Sequence, residues 1–375
     1  MNILDKFNEI SADMNNSIVQ QWKNDGNHLM GLTCSNIPEE IIHAAGFLPI
    51  RIRASTVDDT SKADAYMHII NCSYVRSVLE KHLSDELKFF DSIVTTNTCD
   101  HHLNLSDNIR HTSPGYPMHF FQMYHTNSDG GRDLFMLEMK NFIKFFKEQY
   151  SITISDSDFR ESIKVYNKTR ELMGKLNELR KQDPPPITGK EYMKVVLAGM
   201  SIPKEEFNNM LEELFSELPG RDTCPEKMPR VLIMGAGCDS PEFINFIEDK
   251  GFTIVADNLC FGSRHYHGLI DEKMENPLEG ITDRYFQAVS CASVMNDFER
   301  KYGMINDIID EMNIQGIIIA RIKFCDHWTG FGKMLKDAMD GSKGIPILEI
   351  EREYNTTESG QISTRLQAFH ELIKG

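Results

Sequence analysis

The sequence predicts an α/β protein of two lobes, each built on a parallel sheet, joined by a helical connector. Three observations predict it. Short apolar runs alternate with helix-length amphipathic stretches in 1–155 and again in 228–375, the pattern of βαβ units feeding a parallel sheet. The intervening 156–227 keeps helical periodicity and carries no strand signal. At 375 residues the chain is long enough for two domains with cores of their own.

In the first lobe, HLMGLTC (28–34) reads as a strand ending at Cys34. A helix follows over 38–45, with Pro38 in its first turn, where a missing N–H costs nothing, and Gly46 stops it. FLPIRIR (47–53) is the next strand and 63–83 a helix. The apolar strand FFDSIVTTN (89–97) leads to Cys99, MHFFQMY (118–124) is a fourth strand, and 133–150 is a long amphipathic helix. In the connector, Phe159, Ile163, Tyr166, Leu172, Leu176 and Leu179 recur at helical spacing as far as the prolines at 184–186. A further helix over 204–218 ends at Pro219-Gly220, and the connector is expected to pack against one lobe. The second lobe opens on the strand RVLIMG (230–235), after which Ser240 caps a helix that ends at Gly251. FTIVADN (252–258) is a strand, 297–312 a helix, and IQGIIIARI (314–322) the most β-like segment of the chain. A helix over 331–339, a strand over 345–351 and a helix over 361–374 close the fold.

Composition narrows the function classes. A hydrophobic fraction of 41% and a charged fraction of 26% are those of a soluble globular chain. No apolar run reaches the roughly 20 residues that span a bilayer. The opening MNILDKFNEISADMNN lacks the apolar core of a signal peptide. A cytoplasmic protein without a membrane partner is expected. The net charge of −16 argues against nucleic-acid partners, which need a basic surface, but leaves room for a local basic pocket. Gly235-Ala236-Gly237 follows a strand, yet GAGCDS lacks the G-x-G-x-x-G spacing of a nucleotide loop and is discounted.

The eight cysteines are more informative by position than by number. In open α/β sheets ligands collect beyond the carboxyl ends of the strands. Cys34, Cys99, Cys238, Cys260 and Cys325 fall at or just past such ends, and Cys72 and Cys291 hold comparable places ahead of Cys99 and Cys325. Buried thiols used only as small hydrophobes would have no reason to gather on one edge. Soft thiolates select zinc, copper(I) or iron–sulfur clusters. Structural zinc usually draws close cysteine pairs, which this chain lacks, so a cluster clamped between the lobes fits the wide spacing better. Cys238 is a reserve ligand, and Cys224, beside Pro225 in a polar stretch, is read as idle.

At this point the residues carry a resemblance. GLTCSNIPEEIIHAAGFLPIRI, NTCDHHLNL, DNLCFGSRHYHGLI, RIKFCDHW and IPILEIEREYNTTESGQISTRLQAFHELI, in this order, are similar to signatures of the benzoyl-CoA reductase/2-hydroxyacyl-CoA dehydratase family. The resemblance implies two flavodoxin-like lobes with a cluster between them and a separate ATP-hydrolysing iron–sulfur activator that injects one low-potential electron. It also implies a homodimer or a homologous second subunit, and a small-molecule substrate of which an acyl-CoA is one option. In the dehydratases one 4Fe–4S cluster sits on three cysteines, and the matching positions are Cys72, Cys99 and Cys325. Single-subunit relatives carry a double cubane (8Fe–9S) on six, and Cys34, Cys260 and Cys291 stand at the other three places. The full set places the chain nearest the double-cubane branch, a reductase, with the dehydratase, a lyase, as the alternative.

Other residues admit a plain and a functional reading. Glu39 and Glu40 start a helix directly after Cys34, where acidic residues favour the dipole; Glu40 is the candidate for proton transfer at the cleft. His101 and His102 cap the turn after Cys99 or, in the case of His101 above all, deliver protons; His327 and Trp328 after Cys325 are comparable. Arg264 and Lys323 either make surface salt bridges or balance a cluster's charge. Gln361, with Gly360, Thr364 and Arg365, is expected at a helix N-terminus facing the cleft.

Overall fold

Two four-stranded, wholly parallel sheets frame the protein, seen in a computed structural model that describes residues 2–221, 223, 227–287, 291–294, 296–356 and 359–374. The first lobe runs α1 (Ile3–Ala12), α2 (Ser17–Asn24), β1 (His28–Leu32), α3 (Glu39–Ala44), β2 (Phe47–Arg51), α4 (Ser61–Asp64) and α5 (Ser73–Leu83). It continues through β3 (Ser92–Thr96), α6 (Asp100–Thr112), β4 (Met118–Phe121) and α7 (Asp129–Tyr150). The connector is α8 (Asp156–Leu179), α9 (Gly189–Gly199) and α10 (Lys204–Glu217). The second lobe is β5 (Arg230–Gly235), α11 (Pro241–Glu248), β6 (Thr253–Asn258), α12 (Ser263–Tyr266), α13 (Pro277–Gln287) and α14 (Phe298–Glu311), followed by β7 (Gly316–Ile322), α15 (Asp326–Asp340), β8 (Ile347–Arg352) and α16 (Gly360–Lys374).

The sheet orders are β2-β1-β3-β4 and β6-β5-β7-β8, so the two lobes share one winding. In each, the chain leaves the first strand to one side, returns past it and adds the third on the other. That reversal makes a crevice at the carboxyl ends of β1 and β3, and again of β5 and β7. Strands β2, β3, β5 and β6 are buried at every position, as expected where helices cover both faces of a parallel sheet. Gly235, at the end of β5, has φ +146°, and a Cβ there would lie 1.8 Å from the Ala320 carbonyl oxygen. The glycine is required by the approach of β5 to β7, which explains the first glycine of the GAG string without a nucleotide.

Three expectations need correction. The helix expected over 63–83 is broken into α4 and α5, and the break leaves Cys72 at the N-cap of α5. Helix α9 went unexpected because it buries Tyr192, Met193 and every residue from Val195 to Gly199, leaving no one-sided apolar stripe. The connector packs against both lobes: α9 lies between α1 and α11, and α8 lies against α3 on one side and α12 and α13 on the other. One hydrophobic core therefore runs through Ile50, Val196 and Ile233, joining lobe, connector and lobe. Among the described residues no helix is long and apolar enough to cross a membrane.

Candidate functional site

The switch-point crevices of the two lobes face one cavity of about 130 Å³, whose wall includes Cys34, Cys72, Cys99, Cys260, Cys291 and Cys325. Cys34 and Cys260 sit just past β1 and β6, and Cys291 lies between α13 and α14. Cys72, Cys99 and Cys325 are the N-cap residues of α5, α6 and α15. None of the three closes a side-chain cap hydrogen bond, yet first-turn amides of Tyr74 and Val75, of His101 and His102, and of Trp328 act on their sulfurs and favour the thiolates. Three helix N-termini, each carrying a partial positive charge, thus converge on one void.

Burial dominates the thiols. It pushes Cys72 well above the ordinary range, helped by the charges of Cys99 and Cys325. It raises Cys99 to about 12 and Cys325 to about 11, in each case against opposing backbone amides. Cys34 is raised by burial and by Cys291 and Cys260, against Arg51. Cys291 goes the other way: burial is outweighed by Arg264, Ser293 and Lys301, and its thiol is lowered. Cys99 and Cys325 act on Cys72, Cys325 and Cys291 on Cys99, Cys291 on Cys325, and Cys291 and Cys260 on Cys34, so Cys291 links the six into one continuous set. Without a positive centre such a set cannot ionise together, since buried like charges repel one another. Among the described residues no three His, Cys, Asp or Glu side chains gather closely enough to hold one metal ion. The sulfurs are spread around the void instead, and soft donors so arranged fit a multi-atom iron–sulfur group.

Around the sulfurs stand Arg51, Tyr74, His101, His102, Tyr285 and Trp328. His101 accepts the Cys72 N–H at Nδ1 (3.3 Å). His102 Nε2 donates to the Thr33 carbonyl at 3.3 Å, which leaves Nδ1 as an acceptor 3.4 Å from Cys99 Sγ. Burial, reinforced by Arg51, holds its pKa down to about 4, so the ring is neutral. Arg264 lies with its guanidinium 5.6 Å from the Trp328 ring and also lines a second recess of about 560 Å³ between α8, β6 and α14, so it is a shared wall of the two spaces.

Several expected site residues lie elsewhere. Glu40 does not line the cavity: its buried carboxylate pairs with Arg170 and accepts the Tyr285 hydroxyl at 2.7 Å. Burial works against its charge, but Arg170 and Arg284 overcome it and lower the pKa. Glu39 is likewise taken by Lys204 (2.9 Å) and His265 (3.3 Å). Lys323 points away, 3.9 Å from Glu353 and over the Phe324 ring. Gln361 is exposed, because α16 turns Ile362, Leu366 and Phe369 inward and leaves 361 on the outer face. Cys238 is fully buried, beside Arg352 rather than in the cavity wall. Cys224 lies outside the described residues. Arg51, Tyr74, Arg284 and Tyr285 were missed by sequence reasoning. For Arg51 a signal existed: a charge inside the apolar strand FLPIRIR has to be spent on something.

Comparison with known proteins adds the lineage. Residues 34–373 match the family described as 2-hydroxyglutaryl-CoA dehydratase, D-component. The (R)-phenyllactyl-CoA dehydratase beta subunit of Clostridium sporogenes is 25% identical over 372 residues, covering 98% of this chain and 97% of its own. A benzoyl-CoA reductase subunit of Thauera aromatica is 26% identical over 385 residues, covering 99% and 98%. The beta subunit of (R)-2-hydroxyglutaryl-CoA dehydratase of Acidaminococcus fermentans is 23% identical over 382 residues, covering 99% of each. With its family match beginning at Cys34 and ending inside α16, the chain belongs to the 2-hydroxyglutaryl-CoA dehydratase D-component family of dehydratase and reductase subunits.

Proposed function

We propose that this chain is an iron–sulfur reductase subunit that holds a double-cubane (8Fe–9S) cluster on Cys34, Cys72, Cys99, Cys260, Cys291 and Cys325 and reduces a small substrate there. The observation that carries this reading is that all six thiols border one cavity between the lobes. The mutual effects run through all six, with Cys291 acting on Cys34, Cys99 and Cys325, which supports one joined group that reaches every sulfur. Such a group, when bound, supplies low-potential electrons and an open iron as Lewis acid. The chain's own residues do the rest. The N-termini of α5, α6 and α15 favour thiolate at three of the sulfurs. The rings of Tyr74 and Trp328 help close the cavity to water, and the half-buried His101, with Nδ1 taken up by the Cys72 amide, has Nε2 as the atom that can hold a proton at the wall.

The electron is supplied by an ATP-hydrolysing iron–sulfur activator, a partner called for because the sequence has no phosphate-binding loop of its own. The assembly is completed by a second copy or by a homologous partner chain, in keeping with relatives that are themselves named as subunits of larger enzymes. The acyl-CoA substrates in those relatives' names make an acyl-CoA the first compound class to assay.

A second reading, a 2-hydroxyacyl-CoA dehydratase subunit with one 4Fe–4S cluster, is favoured by the N-cap placement shared by Cys72, Cys99 and Cys325 alone. Anaerobic purification with iron and sulfide analysis separates the two. About eight irons per chain support the double cubane, about four the dehydratase, and none would overturn both.

A further inference from the structure

Asp239 follows β5 of the second lobe and is only 4% exposed, yet neither of its carboxylate oxygens has a hydrogen-bond partner. Among the described residues every other buried acid holds a donor or a cation, as Glu80 holds the Ala63 amide at 2.9 Å and Asp257 holds Arg180 at 3.2 Å. The Tyr354 hydroxyl lies near enough to feel Asp239, but it accepts the Ala54 N–H at 3.1 Å and completes no bond to the acid in good geometry. Even with its hydrogen turned to one oxygen, the second oxygen would stay without a donor.

Asp239 lines a pocket of about 160 Å³. The pocket lies past the carboxyl ends of β2 and β5, the edge where open α/β sheets take their ligands, and it shares no lining residue with the cysteine cavity. Arg53 stands in the same wall and is 9% exposed. Its two Nη atoms donate to the Ser11 carbonyl at 2.6 Å and the Ser201 hydroxyl at 3.4 Å, while its Nε has no partner. Arg53 feels the charge of Asp239, but no hydrogen bond joins them. Half-buried Lys81 and Lys194, which also hold Glu86 and Asn8, and the exposed Asp13 and Glu242 complete the charged lining.

A buried carboxyl group without donors is costly, and protein interiors pair such groups or give them water or an ion. One water needs about 10–15 Å³ of such space, whereas a cavity of about 150 Å³ holds a molecule of about six heavy atoms. The pocket is of the larger kind. A bare cation at Asp239 would meet Arg53, and a bare anion at Arg53 would meet Asp239. A ligand that carries both signs meets a complementary group at each end. We propose that this pocket binds a small zwitterion of the α-amino-acid type, with its ammonium on Asp239 and its carboxylate on Arg53. Arg53 belongs to the first lobe, Lys194 to the connector and Asp239 to the second lobe, so the bound molecule joins all three parts of the chain. The site is independent of the group proposed for the cysteines.

The test uses the full chain, purified anaerobically, in equilibrium dialysis with radiolabelled glycine, L-alanine and L-serine, beside D239N and R53M. Ethylamine and propionate, each carrying one end of L-alanine, serve as competitors, and thermal melts accompany every mixture. At least one of the amino acids is expected to bind saturably at a single site per chain and to raise the melting temperature, with either competitor at least about tenfold weaker. D239N should weaken that binding at least about tenfold, the loss of one charge-assisted bond. Without ligand it should melt no lower than the unsubstituted chain, because the acid has no partner to lose. R53M should weaken the amino acid and propionate alike; if it does not fold, D239N decides. No saturable binding by any of the amino acids, binding undiminished in D239N, or a competitor as tight as the amino acid would overturn the inference. A ligand-free D239N that melts lower would overturn it too, since the acid would then be satisfied within the protein. A crystal structure grown with the amino acid that places ordered water only in the pocket would have the same force.

Discussion

Tyr285 donates its hydroxyl hydrogen to Glu40 Oε2 at 2.7 Å, and through that bond a carboxylate outside the cavity fixes a ring in the cavity wall. Glu40 comes from α3 of the first lobe, Arg170 from α8 of the connector and Tyr285 from α13 of the second lobe. One buried acid thus ties together the three parts of the chain whose meeting makes the site.

Removing that acid should be costly. Glu40→Ala leaves Arg170 buried without its partner, and a loss of about 3–5 kcal/mol is expected from denaturant melts. Tyr285→Phe removes one donor from a buried charged acceptor and should cost about 1–3 kcal/mol. The Glu40 pKa is lowered in the folded protein, so its contribution is complete at pH values above the ordinary glutamate range. It is lost as the pH falls through the lowered folded-state value. Glu40→Gln should accordingly flatten the acid limb of the stability–pH curve; an unchanged limb would mean that the ion pair contributes nothing.

The cysteines divide by iron content. Replacing Cys72, Cys99 or Cys325 by Ala should lower bound iron sharply, because each removes a thiolate stabilised at a helix N-terminus. Replacing Cys34, Cys260 and Cys291 together should leave about half of the iron, as one cubane survives on the other triad. Full iron in every variant would remove these thiols from the ligand set.

Reduction should depend on ATP. With a candidate activator protein present, the iron–sulfur signal of the reduced state should develop with ATP and stay small without it. Equal reduction in the two mixtures would remove the need for that partner.

Gly235→Ala should destabilise the second lobe. The position has φ +146°, and its Cβ would meet the Ala320 carbonyl oxygen at 1.8 Å. The backbone strain alone costs about 1–3 kcal/mol, and the clash adds to it by prising β5 from β7. A urea midpoint equal to that of the unsubstituted chain would contradict this.

The strands were legible in the sequence because a parallel sheet covered on both faces needs continuous apolar runs, as in RVLIMG and IQGIIIARI. The places of Cys34, Cys99, Cys260 and Cys325 were legible for the same reason, since a strand end is a local property. Helix α9 was not, because it is buried on nearly all sides and shows no stripe to read.

What the residues by themselves determined is thus the succession of elements and the chemistry carried at their ends: soft thiols following strands, acids opening α3, a charge inside an apolar strand. What only the tertiary structure decided is which of those ends meet. Glu40 and Cys34 are neighbours in sequence, yet one reaches Arg170 behind the wall and the other lines the cavity, because successive positions on a helix and its preceding turn point in different directions. Gln361 opens a helix as expected but turns outward, since the apolar face of α16 claims the inner side. Arg51 acquires its place beside Cys260 only when the second lobe packs against the first. Convergence of this kind depends on how two sheets and a connector bury their surfaces together, a long-range outcome with no local pattern to carry it.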